Sequence, residues 1–345
     1  MIRIDDHTNI NLDTLAEEHY DNRIKPLNAD GINYHSAASL IGRIKAQRAA
    51  DAAIPNQTRV DFWNFLLDNN CTKLKKIIIS RPNVLKVIIS EIEGVCGVDY
   101  FSVDNSYNGA TYTEFGKIVK NVFNYDSYRS GTECSIIYNQ FNLSFCPYCN
   151  EQIVQVVEDV NSLTGEIKKK ALLQLDHFYP QSRHPYFAVS FFNMIPGCSV
   201  CNAQLKGEKK FDIDSHFNPF DKRLDDYFRF ELDSFLLLSP DDVLISFKNI
   251  LPYADNALAD FNILNRYKNL AHKTAVFCLF QYFKYHSKKI NRSTAQQFKG
   301  LFTTESKRQV LIRNYNIPIN QNQINHVHLG KLKRDILIQM GILTA

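Results

Sequence analysis

A chain of 345 residues, 45% hydrophobic and 22% charged, has the make-up of a folded globular protein and is long enough for two or three domains. Its formal net charge of +4 permits nucleic-acid binding without requiring it. No stretch approaches the roughly 20 uninterrupted apolar residues of a membrane span. The opening MIRIDDHTNINLD is polar and acidic, unlike a secretory leader, so a cytoplasmic protein without membrane contact is expected.

From residue 35 to 95 apolar residues recur at helical spacing, in HSAASLIGRIKAQRAADAA, RVDFWNFLLDNN, KLKKIII and NVLKVIISEIE, which predicts helical hairpins. Pro82 and Asn83 fall between two apolar runs, where one helix stops and another begins. From Gly97 to Thr113 the texture changes to Asn, Ser, Gly and Tyr, which predicts turns and loops near a domain margin. Beyond residue 230 helical periodicity returns in DFNILNRYKNLAHKTAVFCLFQYFKYHSKK, ESKRQVLIRNY and LGKLKRDILIQMG. The expected fold class is α+β and mostly helical. Helical regions at 1–140 and 226–345 would flank a cysteine-rich core at 141–225.

Eight cysteines in a cytosolic chain point to reduced thiols or a metal rather than to disulfides. Cys71, Cys96, Cys134 and Cys278 sit singly among apolar residues and are expected as buried packing thiols. Cys146 and Cys149 form one Cys-x-x-Cys pair, and Cys198 and Cys201 another. Two such knuckles can close a tetrahedral zinc site, and four thiolates leave it no open position, so the expected Zn²⁺ is structural. The first pair, Cys146-Pro147-Tyr148-Cys149, also matches the glutaredoxin redox sequence, with Ile195-Pro196 at a plausible distance for that fold's proline. The second pair directly after that proline and the long helical flanks argue for the metal staple.

Between the pairs lies LLQLDHFYP, whose alternation predicts a short strand ending near Tyr179-Pro180 and carrying Asp176 and His177. Asn193 precedes the second knuckle, and Asn202 and Lys206 follow it. Asparagine at a knuckle is ordinary as a turn residue, and an Asp-His pair is ordinary at a turn. Core packing does not demand their joint order. Lys168 to Lys170 are read as solvating a hairpin tip at Gly165, and no Gly-x-x-x-x-Gly-Lys-Ser/Thr sequence occurs.

With these residues quoted, the segment from about 141 to 221 resembles an HNH (ββα-metal) nuclease of the four-cysteine type. The resemblance implies a hairpin and a helix clasping one catalytic cation. Asp176 then matches the first metal ligand, His177 the general base, Asn193 the residue that orients the histidine or ties the hairpin loop, and Asn202 the second ligand. Lys206 matches a helix position near phosphate. Lys209 and Lys210 lie at or beyond the helix end, and Ser182 lies in the loop after the strand, all placed for nucleic-acid contact. Phosphodiester hydrolysis needs a base to deprotonate water and a cation to offset developing charge; Asp176 and the Asn202 amide oxygen suit Mg²⁺ or Mn²⁺.

The wording DHFYPQS, NMIPGCSVCN, FNPFD at 217–221 and FNILNRYKNLAHK is further similar to the PtuB-like HNH subunit of Septu and retron antiphage defence systems. That resemblance implies a gating ATPase partner of PtuA type and a nucleic-acid substrate, DNA first and RNA second. The alternative is a zinc-stapled nucleic-acid or protein-binding module without catalysis.

Overall fold

Side-chain caps start most of the helices in the first 140 residues of this computed structural model, which describes residues 2–21, 38–160, 165, 167–249, 255–289 and 315–343. Asn11 accepts from the Asp13 and Thr14 amides to open α1 (Leu12–His19), and Ser39 accepts from the Gly42 amide to open α2 (Leu40–Ala52). Asn56 accepts from the Arg59 amide at the start of α3 (Gln57–Ile79), which breaks where Asn69, Asn70 and Cys71 take positive φ. α4 (Pro82–Cys96) begins on Pro82, whose missing N–H costs nothing in a first turn.

The chain divides into two compact units, Arg3–Asn142 with Val154–Lys222, and Met1–Ile2 with Leu143–Ile153 and Arg223–Ala345. In the first, α1 to α4 are followed by the antiparallel hairpin β1 (Ser102–Ser106) and β2 (Gly109–Tyr112), then α5 (Glu114–Phe123), α6 (Tyr125–Ser130) and α7 (Thr132–Gln140). The hairpin replaces the loops expected at 97–113: the Tyr107-Asn108 turn joins short segments whose residues pair as Ser102 with Tyr112 and Val103 with Thr111. Gly116 is required beside it, because a Cβ there would stand 2.0 Å from the Phe101 carbonyl oxygen. Phe62, Trp63, Phe101, Phe115 and Tyr186 pack their rings together in this core, and Trp63 Nε1 donates to Asp51 at 2.6 Å.

The same unit carries hairpin β3 (Val156–Val160) with β4 (Ile167–Ala171), on which Lys168 and Lys169 stand opposite Asp159 and Glu158. Its last hairpin is β5 (Gln174–His177) with β6 (Met194–Gly197), in register Asp176 to Ile195 and His177 to Met194. A wide-turned (π) helix, Val200–Lys206, follows β6.

Among its described residues the second unit carries the hairpin β7 (Phe228–Leu232) with β8 (Ile245–Asn249), where only helices were expected; the alternating FRFEL and ISFKN segments carry the missed signal. Among the described residues its helices include α8 (Asp255–Asp260), α9 (Ile263–Tyr267), α10 (Leu270–Lys289) and α11 (Gly330–Gln339). The expected helix ESKRQVLIRNY lies outside the described residues except for Tyr315.

The protein is thus α+β and mostly helical, with two-stranded antiparallel sheets. Cys71, Cys96 and Cys134 are buried as expected, but Cys278 is exposed: on amphipathic α10 the buried row includes Val276, Leu279 and Phe280, and Cys278 lies off it. Among the described residues no helix is long and apolar enough to cross a membrane.

Candidate functional site

The first cysteine pair is held in a turn by its own backbone. The Cys146 amide donates to the Gln152 carbonyl and the Asn150 amide to the Cys146 carbonyl, both at 2.8 Å, and Asn150 takes positive φ. Asn150 is fully buried; its amide nitrogen donates to the Ile324 and Val327 carbonyls, and its side-chain oxygen accepts from the Lys331 amide. The Tyr267 hydroxyl donates to the Cys149 carbonyl at 2.5 Å.

In the second pair the Cys201 amide lies 3.4 Å from Cys198 Sγ, and the Asn202 amide donates to the Cys198 carbonyl at 2.9 Å. The ligand atoms of Cys146, Cys149, Cys198 and Cys201 all lie within 4.8 Å of one another, and all four residues are buried. Sulfurs at about 2.3 Å from a tetrahedral zinc are about 3.8 Å apart, so the cluster is of the right size to bind a metal ion such as zinc. Pro196, the residue a glutaredoxin-like reading assigns to its active site, is paired opposite Leu175 in β6.

The remaining predicted residues fall on and around β5. Gln174 and Asp176 share one face of the strand and meet the helix after the second cysteine pair: Asn202 Nδ2 donates to Gln174 Oε1 at 3.1 Å, and Lys206 Nζ lies 2.8 Å from Asp176 Oδ1. Asp176 and Lys206 are both buried. The Lys206 ammonium also donates to the His177 carbonyl at 2.6 Å and stands 5.0 Å from the Phe211 ring centroid. Lys206 is therefore placed against Asp176 rather than on the surface.

The His177 ring meets different neighbours. Its Nε2 lies 2.8 Å from the Ala188 carbonyl oxygen, and a carbonyl only accepts, so the imidazole donates there. The neutral ring then carries its lone pair on Nδ1. Tyr125 packs edge-on at 4.6 Å between centroids. Burial pulls the His177 pKa below its ordinary value, outweighing the Ala188 carbonyl and Asp176, which pull it up. The ring is thus mostly neutral at pH 7.

Asn193 is fully buried and ties the loop after β5 to the start of β6. Its side-chain oxygen accepts from the Tyr179 amide at 2.8 Å, and its nitrogen donates to the Tyr179 carbonyl at 3.1 Å and to the Phe187 carbonyl at 3.4 Å. Phe187 immediately precedes Ala188, so these bonds shape the segment that presents the carbonyl to His177. Ser182 is buried, and its hydroxyl donates to Glu208. Lys209 is half-buried and Lys210 exposed, with the Lys210 amide donating to the Tyr107 carbonyl.

Tyr125, Gln174, the Ala188 carbonyl and Glu208 join this site without having been expected. A backbone carbonyl has no residue signature, and Tyr125 lies 52 positions before His177, so neither could be found by motif spacing. No family model, curated protein or solved structure matches this chain.

Proposed function

We propose that the protein is a metal-dependent endonuclease of the HNH type that hydrolyses phosphodiester bonds, most readily in DNA. The observation that carries this reading is the tethered His177 ring: with Nε2–H held by the Ala188 carbonyl, Nδ1 is left as the basic atom of a mostly neutral imidazole. That ring follows Asp176 on a hairpin, and a short helix bearing Asn202 packs on the neighbouring strand face. The cysteine cluster is assigned to a structural zinc, because a four-thiolate site has no place for substrate.

The donor set also fits a hard divalent ion by its chemistry. Asp176 supplies a carboxylate, and the Asn202–Gln174 bond uses the amide nitrogen of Asn202 and leaves its carboxamide oxygen for a cation. When bound, such an ion supplies charge stabilisation for the phosphorane-like transition state and the departing 3′-oxygen. In this reading His177 Nδ1 accepts the proton of the attacking water, and Asn193 fixes the loop that holds the other ring nitrogen. Lys209 and Lys210 offer phosphate contacts that position a strand without reading its sequence. The loop wording at 176–182 and 193–202 supports placing the protein as the nuclease subunit of a PtuB-like antiphage system gated by an ATPase partner.

Purified zinc-loaded protein with Mg²⁺ or Mn²⁺ is expected to nick plasmid DNA, and His177→Ala is expected to abolish nicking with zinc content unchanged. Persistent cleavage by the variant removes His177 from the chemistry. A second reading, a zinc-stapled binding module without catalysis, is favoured by the Asp176–Lys206 ion pair, which already balances the carboxylate charge. Wild-type DNA binding with no Mn²⁺ uptake and no nicking, alone or with a co-purified ATPase, would select it.

A further inference from the structure

Lys206 is the last residue of the helix Val200–Lys206, and its side chain is almost entirely buried. Its ammonium is surrounded by a carboxylate oxygen of Asp176 at 2.8 Å, the His177 carbonyl at 2.6 Å and the face of Phe211 at 5.0 Å. These are the surroundings of a cation site, and here the cation is supplied by the chain. The same helix carries Asn202 four residues earlier, and the Gly207 amide closes the wide turn on the Asn202 carbonyl at 2.7 Å. Asn202 and Lys206 are thereby aimed at Gln174 and Asp176, residues two apart on one face of β5. The lysine thereby already occupies the carboxylate that the proposed ion would use.

We propose that Lys206 is a built-in competitor for the cation position at Asp176, so that a divalent ion and the Lys206 ammonium exclude each other and the ion binds by expelling the lysine. The inference rests on the hydrolytic reading above, which makes Asp176 a metal ligand. Its physical basis is charge. Even with the full dielectric of water, a unit positive charge about 5 Å from a dication weakens its binding by roughly ten-fold, and burial increases the effect. A four-carbon stem lets the ammonium leave without moving the helix. The consequence is a nuclease centre that stays neutral and closed at low divalent concentration and opens when the ion outcompetes the lysine.

The test is calorimetric titration of the full-length, zinc-loaded chain with Mn²⁺. Lys206→Gln, which keeps a hydrogen-bond donor and drops the charge, is expected to bind Mn²⁺ at least about ten-fold more tightly than the wild type. Asp176→Asn added to that variant is expected to remove the gain. Equal or weaker binding by a folded Lys206→Gln protein overturns the competition and leaves the hydrolytic reading standing. A gain that survives Asp176→Asn places the ion elsewhere and also overturns it. Absence of Mn²⁺ uptake by both wild type and Lys206→Gln overturns the competition and the metal-dependent reading together.

A second measurement needs no substitution. Lys206 is expected to resist acetylation by acetic anhydride in metal-free buffer and to become labelled at saturating Mg²⁺, read by peptide mass spectrometry. Mg²⁺ binding without a rise in Lys206 labelling overturns the expulsion, even if the variant fails to fold.

Discussion

Two buried lysines, one in each unit, show how the same surroundings serve different ends. Lys331 on α11 is held by Asp225 at 2.5 Å and Asp335 at 2.9 Å, by the Phe228 carbonyl at 2.9 Å and over the Phe228 ring at 4.4 Å. Lys206 has the same three kinds of partner but only one carboxylate. Lys331 lies between two acids that both need it, which makes it a lock. Lys206 balances a single acid beside an imidazole, so a stronger cation can take its place. In the proposed competition the two lysines are alike in burial and differ in the number of carboxylates they serve.

Removing each charge tests the difference between the two lysines most directly. Lys331→Met leaves Asp225 and Asp335 buried together without the lysine that bridges them and is expected to cost about 3–5 kcal/mol in urea unfolding. Lys206→Met strands one carboxylate and is expected to fall at the lower end, about 3 kcal/mol or less. Equal losses would erase the distinction.

On the Lys206 side, Asn193→Ala removes three buried side-chain bonds to Tyr179 and Phe187. Groups left unsatisfied cost about 1–3 kcal/mol. If that loop also holds the Ala188 carbonyl against His177, nicking should fall by more than the stability loss explains, measured well below the melting temperature. Full activity in a folded Asn193→Ala protein would separate the asparagine from the histidine.

On the Lys331 side, the pKa values of the two acids are displaced in opposite directions. Burial pushes the Asp335 carboxyl up to about 6 against the pull of Lys331. Burial also raises Asp225, but there the charge and hydrogen bond of Lys331 prevail and hold it below its ordinary value. Between about pH 4 and pH 6 the folded state binds more protons at Asp335 than the unfolded chain does, so this group removes stability as pH rises through that window. Asp335→Asn should flatten that part of the profile of unfolding free energy against pH. An unchanged slope would show that Asp335 does not titrate there.

The smallest effect is expected at Tyr125, which touches the His177 ring by its edge. Tyr125→Phe should be nearly silent, and Tyr125→Ala should cost about 1 kcal/mol through the lost ring contact. It should also shift the His177 ring nitrogen resonances. Unmoved resonances would mean that the Ala188 carbonyl alone orients the ring.

Much of the cysteine cluster was legible in the sequence, because a metal knuckle is local: two cysteines three apart need only a tight turn, and the pairs at 146/149 and 198/201 announce it. The β5 strand was legible for a similar reason, since LLQLDH alternates up to the proline that follows. The helices of residues 40–96 follow apolar periodicity and the break at Pro82. Hairpins β1–β2 and β7–β8 were not read, because in one the Asn, Ser and Tyr content imitates loop, and in the other alternation is brief within a helical stretch.

Local order along the chain was enough to tell which thiols can gather around a metal, and where a strand carries an acid next to an imidazole. What those groups face follows from contacts between distant segments. Lys206 lies 30 positions after Asp176 and was read as a helix position near phosphate; packing of its helix on β5 turns its ammonium to the carboxylate. His177 owes its tautomer to the carbonyl of Ala188, 11 residues on. Spacing along the chain governs a turn of a few residues, whereas charge balance and proton position depend on which distant atoms the fold brings within about 3 Å.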